Sequence, residues 1–120
     1  MYIRFIIISV LLSCILQAAP VDLEKAQRVA GNIYAERSNT GTMDGFNLRS
    51  VDIFDDNAVN LIYVFQLESE GFILVAGDDR VQPLLAYSFE SSFVMEDMPS
   101  TVSWMIDAYK GMISNMIESD

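Results

Sequence analysis

The feature that most constrains the fold is a segment, Leu61 to Leu67, that is apolar on both faces of a β-strand. Alternate side chains of a strand point to opposite sides of a sheet. In this segment both sets are apolar, with Ile62 and Val64 on one face and Tyr63, Phe65 and Leu67 on the other. A strand of this kind belongs in the interior of a sheet. The sequence therefore predicts a central strand here.

Three further segments have the alternating pattern or the short apolar run that is typical of strands. They are Leu48 to Phe54, Phe72 to Ala76 and Leu84 to Tyr87. Residues 68 to 71, Glu-Ser-Glu-Gly, make a tight connection between the central strand and the strand that follows it. We therefore expect these two strands to pair as a hairpin.

Helical patterns precede and follow the strands. Asp22 is a suitable N-cap for a first helix, whose apolar positions recur at helical spacing until the pattern ends near Ser38. Ser100, directly after Pro99, is expected to cap a second helix. The apolar stripe of that helix consists of Val102, Ile106, Tyr109, Ile113 and Met116. This order of elements predicts an α+β domain, in which a small antiparallel sheet of about four strands is flanked by an N-terminal and a C-terminal helix.

The composition excludes several kinds of chemistry. The 120 residues include one Cys and no His, which excludes a Ser-His-Asp triad, a Cys-His pair and a His-based zinc site. With 17 Asp and Glu against 7 Lys and Arg, the net charge is −10, which disfavours nucleic acid and anionic lipid as partners. The adjacent carboxylates of Asp78 and Asp79 do not by themselves converge on one substrate atom. We therefore expect no enzymatic activity, no cofactor and no metal.

The first residues have the features of an export signal. In residues 1 to 18 a basic residue precedes a continuous apolar run, and Ala18 suits the cleavage position. The mature domain would then comprise residues 19 to 120, without a transmembrane helix, and would be secreted or periplasmic. Residues 11 to 14, Leu-Leu-Ser-Cys, offer an alternative because they are similar to a bacterial lipobox, in which Cys14 becomes a lipidated N-terminus.

The segment after the third strand has turn chemistry. We expect the buried strand to end at Gly77, where glycine tolerates a positive φ. Asp78 and Asp79 suit the turn because their carboxylates accept hydrogen bonds from nearby backbone N–H groups. Arg80 can bridge back to one of them, and Pro83 starts the next strand. Considered from its residues alone, this segment has a structural role.

Together with the preceding strand, this turn forms an ordered series of motifs. Its members are Gly71, Phe72, Gly77, Asp78, Asp79, Arg80, Pro83 and Tyr87. The series strongly resembles the propeptide of streptopain-like cysteine peptidases and the free-standing inhibitors related to it, the Spi family. That family has a glycine-phenylalanine-aliphatic strand, a glycine-aspartate-x-arginine turn, and then proline, aliphatics and tyrosine-serine. The resemblance covers most of the chain, from about the first helix to Ile113.

The resemblance implies a function. In the family, the propeptide docks on the peptidase and sends a loop into its active-site cleft, and the matching loop here is Phe89 to Pro99. No peptidase domain follows before Asp120. The resemblance therefore implies a separate inhibitor that binds a streptopain-like cysteine peptidase non-covalently and occludes its cleft. The expected contact residues are Phe93, Val94, Met95, Glu96, Asp97, Met98, Pro99, Ser100 and Trp104.

Several alternatives stay open at this point. Phe93, Met95 and Met98 either contact the peptidase or fold back beneath the sheet as part of the core. Trp104 falls at the edge of the helical stripe and is expected to be half exposed. The chain is alternatively a surface-tethered binding lipoprotein for a non-peptidase ligand, or an orphan propeptide remnant that has no target.

Overall fold

The computed structural model describes residues 20–39 and 41–118. The signal peptide and the lipidation site expected at Cys14 lie outside the described residues. The described elements follow in the order α1 (Leu23–Arg37), β1 (Leu48–Asp56), β2 (Val59–Leu67), β3 (Phe72–Ala76), β4 (Leu84–Ser88) and α2 (Ser100–Glu118). This order confirms the α+β prediction, and the predicted strands and helices are all present. Neither α1 nor α2 is long and apolar enough to cross a lipid bilayer.

The four strands form one antiparallel sheet in the order β1-β2-β3-β4. Strand β2 is therefore an inner strand, and all of residues 61 to 67 are buried. The predicted hairpin is also present, since Val64 of β2 is paired with Leu74 of β3. The central position predicted for β2 is confirmed.

The two helices cover opposite faces of the sheet. On one face, Ala26, Ala30 and Ile33 of α1 pack with a first core cluster that contains Tyr63, Phe65, Ile73 and Val75. On the other face, Ile106 and Ile113 of α2 pack with a second cluster that contains Ile62, Val64, Leu74 and Ala76. The apolar residues on both faces of β2 are thus removed from water, which supplies most of the favourable free energy of folding.

The N-terminal boundary of α1 is where the sequence places it, and that of α2 differs by one residue. The Asp22 side chain caps α1, because its Oδ1 accepts a hydrogen bond of 2.8 Å from the backbone N–H of Lys25. Ser100, however, is the first residue of α2 rather than its cap. The N–H of Ser103 donates to the carbonyl of Pro99 at 3.0 Å, so Pro99 occupies the cap position.

The expectation of a positive φ at Gly77 is wrong. Among the glycines that the structure describes, those with a positive φ are Gly41, Gly45 and Gly71, and Gly77 is not one of them. Gly77 is required for a different reason, because a Cβ atom there would collide with the backbone of Asn60 on strand β2, whose carbonyl carbon would lie 2.9 Å away. The close approach lets the N–H of Gly77 donate to the carbonyl of Leu61 at 2.8 Å.

The turn between β1 and β2 contains a strained residue. Asn57 and Ala58 have φ angles of 49° and 65°, the left-handed values of a two-residue hairpin turn. Asn tolerates this region, but the Cβ of Ala58 is unfavourable there and glycine would be preferred.

We predict that Ala58→Gly raises the free energy of unfolding by about 0.5–1 kcal/mol, because it relieves the left-handed strain. Urea denaturation at pH 7 measures this difference. The matched control is Ala108→Gly, at an exposed position in the interior of helix α2, which should lower the free energy of unfolding by about 1 kcal/mol. A loss of stability in both variants would show that the turn is not strained.

Candidate functional site

The site that the sequence singles out is the segment of residues 89 to 99, between strand β4 and helix α2, here named the β4–α2 loop. Phe93, near its middle, is only 7% exposed and belongs to the core cluster on the α2 face. Its ring lies edge-on to Phe72, with ring centroids 5.2 Å apart, and to Phe54, with centroids 6.4 Å apart. Phe93 therefore fixes the loop to the sheet, with its ring packed in the core.

A buried amide holds the backbone of the loop at the same point. Gln66, on strand β2, is 3% exposed. Its Nε2 donates to the carbonyl of Phe93 at 2.6 Å, and its Oε1 accepts from the N–H of Phe93 at 3.1 Å. Arg49 Nη2 also donates to Oε1, at 3.5 Å. The side chain of Gln66 thus satisfies both backbone groups of Phe93 in a place that water does not reach.

The rest of the loop divides into packed and exposed side chains. Met95 and Met98 are partly buried and pack on the α2-face core. Val94 is 56% exposed, and Glu96 and Asp97 are exposed as well. Of the apolar side chains within the loop that are expected to reach a partner, Val94 is therefore the most accessible.

The loop bends in its exposed part and leads into exposed residues at the start of α2. Asp97 has a φ of 52°, the left-handed region, and the chain bends at residues 96 and 97, in the exposed part of the loop. Pro99 and Ser100 are exposed at the start of α2. Trp104, in the next turn of that helix, is 73% exposed, which is more than the half exposure expected from its place at the edge of the stripe. A tryptophan this exposed is a typical interface residue.

The turn after β3 is built around a buried ion pair. Asp78 is 2% exposed. Its Oδ1 accepts from Nε of Arg80 at 2.9 Å and from the backbone N–H of Arg80 at 3.0 Å, and its Oδ2 accepts from Nη2 at 2.8 Å. The hydrogen bonds from Arg80 hold the pKa of the Asp78 carboxyl below its usual value. The bridge expected between Arg80 and one of the two aspartates is confirmed, and Asp78 is its partner.

The other carboxylate of the turn has a different environment. Asp79 lies 3.6 Å from Nζ of Lys25, and both side chains are about half exposed, so this pair contributes little. Because Asp78 is neutralised by Arg80 and Asp79 points to solvent, the two carboxylates do not form an acid–base pair. Among the described residues, no group of three or more acidic or thiol side chains is placed to hold a metal ion.

The remaining motif residues position the two ends of β4. Gly71 has a φ of 141°, and a Cβ there would lie 2.7 Å from the carbonyl oxygen of Ser88, at the point where the loop begins. At the other end, the carbonyl of Pro83 accepts from the N–H of Ala76 at 2.9 Å. The ring of Tyr87 lies 5.3 Å from that of Phe89. These residues set the direction in which the chain enters the β4–α2 loop.

Comparison with known protein families shows to which family this chain belongs. The family model described as Spi protease inhibitor matches residues 18–113. The chain belongs to the Spi protease inhibitor family. This confirms the resemblance drawn from the motif series, and an inhibitor family accounts for a chain that is not an enzyme.

A curated relative gives further information on the class of protease. The chain is 32% identical over 111 residues to the protein named thiol protease/hemagglutinin PrtT of Porphyromonas gingivalis. The aligned region is 88% of this Spi-family chain and 13% of the length of that relative. No solved structure gives a significant match.

Sequence reasoning missed Gln66. The signal that could have revealed it is a single uncharged polar residue in a strand that is otherwise apolar on both faces. A buried polar side chain needs hydrogen-bond partners, so its presence in β2 predicts a segment that supplies them. The identity of that segment, the β4–α2 loop, follows only from the folded structure.

We predict an acid-sensitive contribution of Asp78 to stability. Because its pKa is lower in the folded than in the unfolded chain, the stabilisation is complete above the unfolded pKa of about 4 and is lost as the pH falls through the lower, folded pKa. At pH 7, Asp78→Asn should lower the free energy of unfolding by about 2 kcal/mol. Urea denaturation at pH 7 and at pH 3 should show a smaller difference between wild type and variant at the lower pH.

The neighbouring carboxylate provides the control for this prediction. Asp79→Asn changes the same charge in the same turn, but its side chain is 47% exposed, so stability should stay within about 0.5 kcal/mol at both pH values. Equal effects of the two substitutions would contradict a specific role for the Asp78–Arg80 pair.

Proposed function

We propose that this Spi-family chain inhibits a streptopain-like cysteine peptidase by placing the β4–α2 loop non-covalently in its active-site cleft. Membership in a protease inhibitor family and similarity to a protein named as a thiol protease support this class of target. The observation that carries the proposal is the construction of the loop. Phe93 fixes it to the sheet from below, while Val94, Glu96 and Asp97 remain exposed above.

The charge of the chain supports the same mode of binding. Glu96 and Asp97 are adjacent carboxylates in the exposed part of the loop, and they can pair with an imidazolium or with basic residues around a cleft. The net charge of −10 would also accelerate association with a basic partner. No covalent step is needed, since burial of Val94 and complementary charge provide affinity.

The proposal includes export of the chain. Residues 1 to 18 would direct it out of the cytoplasm, either by simple cleavage or with lipid attached at Cys14. An inhibitor with this signal would meet its target in the periplasm or outside the cell. Mass spectrometry of the N-terminus isolated from the producing cells distinguishes the cleaved from the lipidated form.

The direct test is titration of the purified chain against a panel of streptopain-like peptidases, with hydrolysis of a small peptide substrate as the readout. We expect stoichiometric or near-stoichiometric loss of activity with at least one enzyme. Full activity of every enzyme at micromolar excess of the chain would overturn the proposal. That result would favour the alternatives of a binding protein for another ligand or of an orphan propeptide remnant.

We predict that Val94→Asp raises the inhibition constant by about tenfold or more, because a desolvated apolar contact is replaced by a charge. Val94 is 56% exposed, so the melting temperature should hardly change. The matched control is Met43→Asp, which introduces the same charge at an apolar residue that is 51% exposed and lies near Gly31 of α1, on the opposite side of the sheet. Equal loss of inhibition in both variants would indicate a general charge effect.

We predict a second contact at Trp104. Substitution Trp104→Ala should weaken inhibition by about tenfold, because exposed tryptophans contribute strongly when an interface buries them, and it should leave the folded chain intact since the side chain is 73% exposed. Met112→Ala, at a 45% exposed residue of the same helix, should have little effect on inhibition. An unchanged inhibition constant in the Trp104 variant would restrict the binding surface to the β4–α2 loop.

A further inference from the structure

We infer that Gln66 is a positioning residue that makes the β4–α2 loop an inhibitor of the peptidase rather than one of its substrates. This inference rests on the proposed function and assigns a role to a residue that never touches the peptidase. A loop that enters the cleft of a protease presents peptide bonds to the catalytic nucleophile. Some feature of the loop must therefore prevent its cleavage, and the hydrogen bonds of Gln66 supply it.

The first step of the argument is that the loop is held at both ends of its exposed part. At one end, Gln66 makes two hydrogen bonds to the backbone of Phe93, at 2.6 and 3.1 Å. At the other end, Pro99 is the first carbonyl acceptor of α2, bonded to Ser103 N–H at 3.0 Å. The two anchors therefore restrict the conformations open to the residues between them.

The second step concerns the shape that a substrate needs. A protease aligns its substrate as an extended strand beside the nucleophile, with backbone hydrogen bonds on either side of the scissile bond. Asp97 has a φ of 52°, which is incompatible with an extended strand. As long as Phe93 is held, the loop occupies the cleft in a conformation that the peptidase cannot process.

The third step explains why the residue is a glutamine. Its amide combines an NH₂ group that donates with a carbonyl oxygen that accepts, and these match the carbonyl and the N–H of Phe93. An apolar residue of the same size would leave both backbone groups buried without partners, at a cost that favours their exposure to water. Loss of the Gln66 amide therefore favours conformations in which the backbone of Phe93 leaves the core and the loop is no longer anchored to β2.

Strand β2 itself provides a matched control. Tyr63 is a buried residue on the opposite face of the same strand, and its hydroxyl donates to the carbonyl of Val21 at 2.7 Å. Tyr63→Phe removes two hydrogen bonds, the one donated to Val21 and one of 3.3 Å accepted from Asn60 Nδ2. Gln66→Met likewise removes the two to the backbone of Phe93, but Tyr63→Phe leaves the hydrogen bonds of the β4–α2 loop in place. A purely structural effect of Gln66 would thus be reproduced by Tyr63→Phe.

The experiment incubates wild type, Gln66→Met and Tyr63→Phe with a peptidase that the wild-type chain inhibits. We measure the inhibition constant and follow chain integrity by mass spectrometry. Wild type and Tyr63→Phe should inhibit and remain intact. Gln66→Met should inhibit at least about tenfold more weakly, and the peptidase should cut it between residues 93 and 99 within the time over which wild type stays whole.

The possible outcomes separate the two proposals. If wild type inhibits no peptidase of the panel, the proposed function fails. If wild type inhibits and Gln66→Met inhibits equally well without being cut, the role of Gln66 is overturned while the proposed function stands. Cleavage of Tyr63→Phe at the same rate as Gln66→Met also overturns it, because general destabilisation would then explain the result.

A second measurement applies if Gln66→Met does not fold. Hydrogen exchange of the wild-type chain should show strong protection of the Phe93 amide, which donates to Gln66, beside faster exchange at exposed Val94 and Asp97. Rapid exchange at Phe93 would mean that the anchor opens readily and would overturn the inference without any variant.

Discussion

The burial of strand β2 on both faces is the constraint on which the rest of the structure depends. Its side chains contribute to both core clusters, so the chain needs one helix on each side of the sheet. Helix α1 is held in place through the N-terminal segment, where Tyr63 donates to Val21 and Val21 N–H donates to the carbonyl of Gly77. Helix α2 can only reach the other face through the β4–α2 loop, which must cross the sheet edge and pass over β2. The same requirement that stabilises the core therefore also determines where the loop lies.

The elements of the fold were predictable because each depends on local chemistry or on periodicity. The apolar pattern of residues 61 to 67 predicted the inner strand, and Asp22 predicted the start of α1. The errors occurred where distant segments meet. Gly77 is required by the backbone of Asn60, which is remote in sequence, and not by its own φ angle. The structure also moves the cap of α2 from Ser100 to Pro99, a shift of one residue that the apolar stripe could not define.

The candidate site was predictable in its location but not in its division of roles. Sequence alone left open whether Phe93, Met95 and Met98 contact a partner or join the core, whereas the fold buries Phe93, packs the methionines against the core and exposes Val94. These roles depend on which side chains pack beneath the loop. Phe93 does so against the rings of Phe54 and Phe72, which belong to two other strands. Adjacent residues of similar hydrophobicity cannot be distinguished without knowing those neighbours.

The edges of the sheet explain why a loop rather than a strand is the better surface for a partner. An open edge offers unpaired backbone groups to another strand, and proteins block such edges in several ways. On β1, the exposed carboxylates of Asp55 and Asp56 disfavour pairing. On β4, the register shifts at its pairing with Leu74 and Val75, and the carbonyl of Leu85 accepts from the hydroxyl of Tyr109 at 2.9 Å. A partner that approaches this molecule therefore finds blocked edges. The most exposed apolar side chains near the start of α2 are Val94, on the loop, and Trp104, in the first turns of the helix.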